Sequence, residues 1–175
     1  MDRLTTKDCY FFVWVCESKP RETEEFFRAW NLEQKTTAFV WVKTYPGGGV
    51  FRGPGNYTAS NIERCILARK KKAGPMWHNN KGWMPPQVLL EPHERSEGKI
   101  IHSRKPQVFH AWINRWLGEE TKKLELFATQ HTRGWDCVGH ALSGNDLLVD
   151  LEKLLTGQDS SATIHQQAGV AQRIE

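Results

Sequence analysis

The chain has 175 residues with 24 Lys or Arg and 20 Asp or Glu, and its formal net charge of +4 is compatible with nucleic acid without requiring it. This length fits one domain with a substantial core, and four scattered cysteines without a C-x-x-C pair argue against a zinc site or a disulfide framework. A polar amino-terminal segment and the lack of a long apolar run predict neither a signal peptide nor a membrane span, so we expect a cytoplasmic protein that binds no metal.

Short apolar runs alternate with amphipathic segments from the start of the chain. Residues 9–15 (CYFFVWV) are nearly all apolar and rich in aromatic and β-branched side chains. This pattern predicts a strand that is buried on both faces at the centre of a parallel sheet. A helix is expected next, with Ser18 as its cap and Pro20 in its first turn.

Two further strands are expected in the middle of the chain, at 37–43 and 62–68. The glycine-rich segment 46–55 separates them and is expected to be a flexible loop. Residues 73–98 contain proline, glycine and polar residues without a clear period, which predicts a long loop or insertion. Such loops are often functional.

The last third of the chain contains two predicted helices and one strand. Ser103 is expected to cap a helix whose apolar face runs to Trp116, and a buried strand is expected at 124–127. A final helix is expected at 145–155, followed by a flexible polar tail at 156–175. Strands that alternate with helices predict a single α/β layered domain over residues 1–155.

Three polar clusters are candidates for a functional site: HSRKP at 102–106, ELFA with its following loop at 125–134, and GNYTASNIE at 55–63. Ligands of open α/β sheets bind at the carboxyl ends of strands, so the loop after the strand at 124–127 is a natural place for a nucleotide-like ligand. Each cluster alone is weak evidence for a functional site. A helix start that contains a lysine, for example, usually has no further role.

Taken in order, the motifs HSRKP, KKLELFA, GW and CVGHAL resemble the carboxyl-terminal block of the DPPW-type adenine N(6)-methyltransferases. The earlier segments CYFFVWV, FVWVK and GNYTASNIERCILARKKK are similar to preceding motifs of the same family, so the resemblance covers roughly residues 5–142. It implies an α/β, Rossmann-like, S-adenosylmethionine-dependent methyltransferase fold. The motif order is permuted, and the amino-terminal catalytic strand is missing.

The resemblance also implies two sets of site residues. Lys105 matches a family lysine near the cofactor, where a cation favours the cofactor's carboxylate. The implied cofactor-binding residues are Lys105, Glu125, Phe127, Ala128, Thr129, His131, Thr132, Gly139 and His140. The implied substrate-side residues are Asn56, Tyr57, Ser60, Asn61 and Glu63.

The sequence departs from the family pattern at important positions. It contains no Asp-Pro-Pro-Trp or variant of it, and Thr129 and His140 stand where the family has Arg and Asn. We therefore expect the cofactor-binding half of an enzyme that methylates adenine in DNA or RNA. This half would be either truncated or completed by a second chain that supplies the DPPW segment, and it would not methylate alone.

Two alternatives stay open at this stage. In the first, the chain is a non-catalytic accessory subunit or a nucleic-acid-binding pseudo-methyltransferase. The missing motif and the substituted cofactor positions favour this alternative. In the second it is an unrelated Rossmann-like nucleotide-binding protein. The second is disfavoured because the G-x-G-x-x-G fingerprint is absent.

Overall fold

The computed structural model describes residues 3–55, 57–71, 73, 82–101 and 103–157. The predictions for Asn56, for His102 and for the tail beyond Gly157 therefore lie outside the described residues. The chain divides into two compact units, Met1–Thr121 and Lys122–Glu175.

The first unit is built on a four-stranded mixed sheet with the order β1-β3-β2-β4. The strands are β1 (Tyr10–Val15), β2 (Leu32–Thr44), β3 (Ile62–Lys70) and β4 (Val88–Pro92). β3 is antiparallel to both β1 and β2, whereas β4 is parallel to β2. The carboxyl ends of β1, β2 and β4 consequently meet at one edge of the sheet, together with the amino end of β3.

Two helices, α1 (Pro20–Ala29) and α2 (Val108–Leu117), cover the opposite faces of this sheet. Successive side chains of a strand point to opposite faces. Phe11 of β1 accordingly contacts Trp30, just after α1, with ring centroids 6.3 Å apart. Its near neighbour Trp14 contacts Phe109 of α2 at 4.9 Å. The continuous apolar sequence of β1 is needed because each face has its own helix to pack against.

The prediction for the first strand is confirmed in one respect and wrong in another. Helices cover both faces of β1, as the apolar run predicts. β1 is nevertheless the end strand of a mixed sheet, and in the part of the chain that the structure describes its only strand partner is the antiparallel β3. An apolar run indicates that both faces of a strand are covered. It does not indicate whether one or both edges of the strand pair with another strand.

The predicted helix caps are also wrong. α1 begins at Pro20 with Lys19 as its N-cap residue, and α2 begins at Val108 after Gln107. Ser103 lies in a left-handed conformation with φ of +66°. Its carbonyl accepts a hydrogen bond from Lys105 Nζ at 2.9 Å. The polar segment before α2 is therefore a turn that holds a lysine.

The two segments predicted as loops contain regular structure. The glycine-rich segment is tied down by an isolated bridge between Thr44 and Val50 and by another between Gly53 and Ser60. The predicted insertion at 73–98 contains β4 and the first strand of a hairpin, β5 (Arg95–Ser96), whose partner β6 (Lys99–Ile100) follows directly. The turn of the hairpin, Glu97-Gly98, has two positive φ angles, as a type I′ turn requires. Short strands at a sheet edge and a two-residue turn leave little periodic signal in a sequence.

The second unit contains a two-stranded parallel sheet, with β7 (Leu124–Leu126) paired to β8 (Asp136–Val138). The short helix α3 (His140–Ser143) and the helix α4 (Leu147–Thr156) follow. The Asp146 side chain caps α4 by accepting a hydrogen bond from Leu148 N at 2.9 Å. The predicted strand and final helix are confirmed to within two residues, whereas α3 was not predicted.

No helix among the described residues is long and apolar enough to cross a membrane. Within the same part of the chain, no group of three or more His, Cys, Asp or Glu side chains is arranged to hold a metal ion.

Candidate functional site

A cluster of one carboxylate and two lysines lies at the sheet edge where β1, β2 and β4 end. Glu63 Oε1 is 2.9 Å from Lys43 Nζ, and Glu63 Oε2 is 2.9 Å from Lys105 Nζ. All three side chains are largely shielded from solvent, with exposed fractions of 12% for Lys43, 26% for Glu63 and 20% for Lys105. We call these three residues the Lys–Glu–Lys cluster.

The strand order explains why these residues meet. Lys43 lies near the carboxyl end of β2, and Glu63 lies near the amino end of the antiparallel neighbour β3. Trp41 and Glu63 are register partners. Lys105 reaches the same edge from the turn before α2, where its Nζ lies 5.8 Å from the centre of the Trp14 ring. Residues from four separate segments thus converge where ligands of α/β sheets bind.

The electrostatics of the cluster favour charged groups. Burial alone would raise the pKa of Glu63, but hydrogen bonds and charge from Lys105 and then Lys43 outweigh it and hold that pKa below its ordinary value. Glu63 is therefore an anion at neutral pH. With two cations to one anion, the cluster carries an excess positive charge that suits an anionic ligand.

The other substrate-side predictions have mixed outcomes. Ser60 is fixed by its paired backbone hydrogen bonds with Gly53, and the Asn61 carbonyl accepts a hydrogen bond from Lys43 N at 2.8 Å. Tyr57 is fully exposed. Of the predicted substrate-side residues that are described, Glu63 is the one that joins the charged cluster. The others belong to the loop that leads into β3.

An aromatic group lies next to the cluster at the same sheet edge. Trp41 is completely buried, and its Nε1 donates to the Glu91 carbonyl at 2.8 Å, which ties β2 to the end of β4. His93 contacts Trp41 at 5.0 Å and Phe51 at 5.4 Å between ring centroids, both edge-to-face. Phe51 in turn contacts the half-exposed Tyr45 at 5.2 Å.

In the second unit, the turn after β7 is built around Gly139. A Cβ atom at this position would lie 2.4 Å from the Ala128 carbonyl oxygen and 2.7 Å from Ala128 N. Ala128 N also donates to the Val138 carbonyl at 3.0 Å. Phe127 has a left-handed φ of +60°, and its side chain is 73% exposed. Only glycine allows the chain after β8 to lie this close to the turn after β7.

A second polar group forms around the carboxylate on β7. Thr132 Oγ1 donates to Glu125 Oε2 at 3.4 Å, and the Cys137 thiol on β8 lies 4.0 Å from the same oxygen. Thr132 N donates to Cys137 Sγ at 3.3 Å. Burial raises the pKa of the Cys137 thiol, so it remains a neutral donor at neutral pH. Glu125 and Thr132, which the resemblance assigns to the cofactor, therefore lie together.

The remaining predicted cofactor residues surround this turn. Thr129 is half-buried in a bend directly after Ala128, and His131 is exposed in the same loop. His140 begins α3, and its Nδ1 lies 3.1 Å from the Asn145 carbonyl oxygen. The cofactor-binding role of each residue stays a prediction.

The sequence pattern did not predict Lys43, Trp14 or Cys137, nor the aromatic group of Trp41, His93, Phe51 and Tyr45. Lys43 and Trp14 belong to apolar motifs that predict strands, whereas Cys137 belongs to the motif CVGHAL. The lysine that ends FVWVK was the one available signal, because a cation at the carboxyl end of a buried strand lies where a ligand would bind.

Comparisons with known proteins find a family, a relative and a solved structure to which this chain is similar. A family model described as MT-A70 matches residues 1–141. The Type II methyltransferase M.MunI of a Mycoplasma species is 28% identical over 146 residues, which are 83% of this chain and 56% of that protein. The chain thus spans a little over half the length of that relative. A crystal structure of an M1.HpyAVI–SAM complex aligns with a TM-score of 0.47 and 17% identity, over 70% of this chain and 58% of that one.

Proposed function

Because the chain belongs to the MT-A70 family of adenine methyltransferases, which use S-adenosylmethionine, we propose that it binds this cofactor and serves methyl transfer to the exocyclic amine of adenine in DNA. In this proposal the chain carries the cofactor-binding half of a Rossmann-like methyltransferase. It acts in the cytoplasm, where free thiols such as its four cysteines stay reduced.

One observation carries the proposal: a carboxylate and a hydroxyl converge beside a glycine-dependent turn at the end of a parallel strand. The cofactor's ribose needs acceptors and donors for its hydroxyls, and Glu125 with Thr132 provides both. The exposed Phe127 ring offers an apolar surface of the kind that a purine favours. The residues present therefore fit the cofactor.

The methionine part of the cofactor carries a carboxylate beside its ammonium group. From the family resemblance, we assign Lys105 to its carboxylate, a pairing of the charge-assisted kind. When bound, the cofactor supplies an activated methyl group on a sulfonium centre. The chain's own task is to hold that group in line with the accepting amine and to keep water away.

The experiment is a methyl-transfer assay on the full chain with tritium-labelled S-adenosylmethionine. Adenine-containing DNA and RNA oligonucleotides are compared with oligonucleotides of the same length without adenine. We expect saturable binding of the cofactor with no transfer by the chain alone, since no Asp-Pro-Pro-aromatic motif occurs in its 175 residues. Transfer is expected when a DPPW-bearing methyltransferase fragment is added, with the DNA as its acceptor.

If the chain alone transfers label to the adenine-containing oligonucleotide, the catalytic residues lie in this chain. That result would contradict their assignment to another polypeptide segment. Label in the RNA and none in the DNA would show that the substrate is RNA and not DNA, and the proposed reaction would stay the same. Absence of cofactor binding would contradict the proposed function itself.

A second candidate function is a non-catalytic subunit that supports an active partner, and the missing motif favours it. The end strand β1 supports a partner in either case, because it is apolar, and a strand edge of this kind tends to pair with another chain. Light scattering after size-exclusion chromatography tests for it. A stable, monodisperse monomer at all concentrations would contradict a strand partner at this edge.

A further inference from the structure

The Lys–Glu–Lys cluster contains two lysines for one carboxylate. A simple ion pair between Glu63 and Lys105 would have no net charge and little attraction for an anionic ligand. Here each carboxylate oxygen of Glu63 has its own lysine, at 2.9 Å in both cases. Lys43 therefore adds one positive charge to a pair that would otherwise be neutral.

Lys105 also has a second anchor. Its Nζ donates to the Ser103 carbonyl at 2.9 Å, and this carbonyl is aimed by the left-handed backbone of Ser103. Loss of the Glu63 carboxylate therefore leaves Lys105 with a partner that holds its position. If a substitution of Lys43 or Glu63 changes the affinity for an anion at Lys105, the cause is then the change in charge and not a displacement of Lys105.

We propose that Lys43 is a positioning residue for the cofactor site: it shares the Glu63 carboxylate and so leaves the charge of Lys105 available to the carboxylate of S-adenosylmethionine. This inference rests on the proposed function, because it takes Lys105 as the cation that meets the cofactor. Lys43 acts through Glu63 and needs no contact with the cofactor.

The physical reason is the low solvent exposure of the cluster. Charges interact several-fold more strongly in a partly buried site than in water, and salt screens them less. Without Lys43, Glu63 would be compensated by Lys105 alone, and a cofactor carboxylate would have to compete with it. We expect the loss of Lys43 to weaken cofactor binding on the order of tenfold, equivalent to ~1.4 kcal/mol.

The test measures binding to the full chain by isothermal titration calorimetry. S-adenosylmethionine is compared with 5′-methylthioadenosine, a neutral thioether that keeps the adenosine and the sulfur but lacks the amino-acid carboxylate, its ammonium group and the sulfonium charge. The variants are Lys43→Gln, Lys43→Arg and the double variant Lys43→Gln/Glu63→Gln. Lys35→Gln is the matched control, because it removes another ion-paired lysine of the same strand, which pairs with Glu33.

Four results are expected together. Lys43→Gln binds S-adenosylmethionine about tenfold more weakly than the wild type and 5′-methylthioadenosine equally well. Lys43→Arg keeps wild-type affinity for both ligands, and so does the Lys35→Gln control. The double variant recovers most of the lost affinity, because removal of the Glu63 charge frees Lys105 again. The double-variant cycle thus separates charge from simple loss of structure.

Other results overturn the inference. Equal binding of S-adenosylmethionine by Lys43→Gln and the wild type would show that Lys105 does not need its second cation. Equal weakening for both ligands, or no recovery in the double variant, would assign Lys43 a purely structural role. If Lys43→Gln fails to fold, Lys43→Arg and the double variant still distinguish a charge effect from a structural role. A double variant that also fails to fold would assign Lys43 a structural role. If the wild-type chain binds 5′-methylthioadenosine and S-adenosylmethionine equally, Lys105 does not bind the cofactor carboxylate, and the inference is overturned. If it binds neither ligand, the proposed function is refuted.

Discussion

Substitution of Gly139 by alanine tests the turn after β7 most severely. The added Cβ would meet the Ala128 carbonyl oxygen at 2.4 Å, Ala128 N at 2.7 Å and the Phe127 carbonyl carbon at 3.0 Å, all of them backbone atoms. Ordinary contacts begin near 3.4 Å. The turn would therefore have to open by about 1 Å, and a misplacement of this size in a catalytic site lowers the reaction rate on the order of a hundredfold.

The matched control is Gly47→Ala, because a Cβ there meets no atom within 4 Å and Gly47 has no positive φ. We expect Gly139→Ala to weaken S-adenosylmethionine binding about tenfold to a hundredfold in calorimetry and to cost ~1–3 kcal/mol in urea unfolding. Gly47→Ala should leave both quantities unchanged. Wild-type affinity and stability in Gly139→Ala would refute the argument that this close approach shapes the cofactor site.

Two further predictions concern the first unit. The lowered pKa of Glu63 means that its ion pairs stabilise the fold at neutral pH and lose this effect as the pH falls through that lowered value, below the ordinary value of 4.5. Glu63→Gln should therefore have a lower urea midpoint than the wild type at pH 7, and the difference should shrink on acidification; a difference constant with pH would contradict this. Phe109 is 2% exposed between the sheet and its helix, so Phe109→Ala should cost ~3–5 kcal/mol of unfolding free energy. The control Leu90→Ala, at a side chain 62% exposed, should cost far less, and equal losses in the two variants would refute the assignment of the core.

The sequence allowed the main elements to be predicted wherever side-chain pattern and packing agree. Residues 10–15, 108–117 and 147–156 carry strong apolar signals, and the structure forms a strand or a helix at each of them. β4 was missed because Val88 and Leu90 are exposed, so its sequence lacks the alternation of a half-buried strand. Strand direction was also beyond the pattern, since an apolar strand such as β3 has the same composition whether its neighbours are parallel or antiparallel.

The candidate site was predictable in its second unit and less so in its first. Glu125, Thr132 and Gly139 lie in one short segment that the resemblance assigns to the cofactor, and in the structure Thr132 Oγ1 is 3.4 Å from Glu125 Oε2. The Lys–Glu–Lys cluster joins residues that are 20 and 42 positions apart, measured from Glu63. Their meeting depends on strand register and on the turn at Ser103, and neither can be derived from residue types alone.

The central claim, that this chain binds S-adenosylmethionine through the turn after β7, is tested most directly by photochemical cross-linking. The full chain is irradiated with methyl-labelled S-adenosylmethionine, with and without excess unlabelled S-adenosylhomocysteine, and the labelled peptides are identified by mass spectrometry. We predict label within residues 124–140 that the competitor removes. Label that persists in the presence of the competitor, or that lies wholly outside the predicted cofactor residues, would contradict the claim.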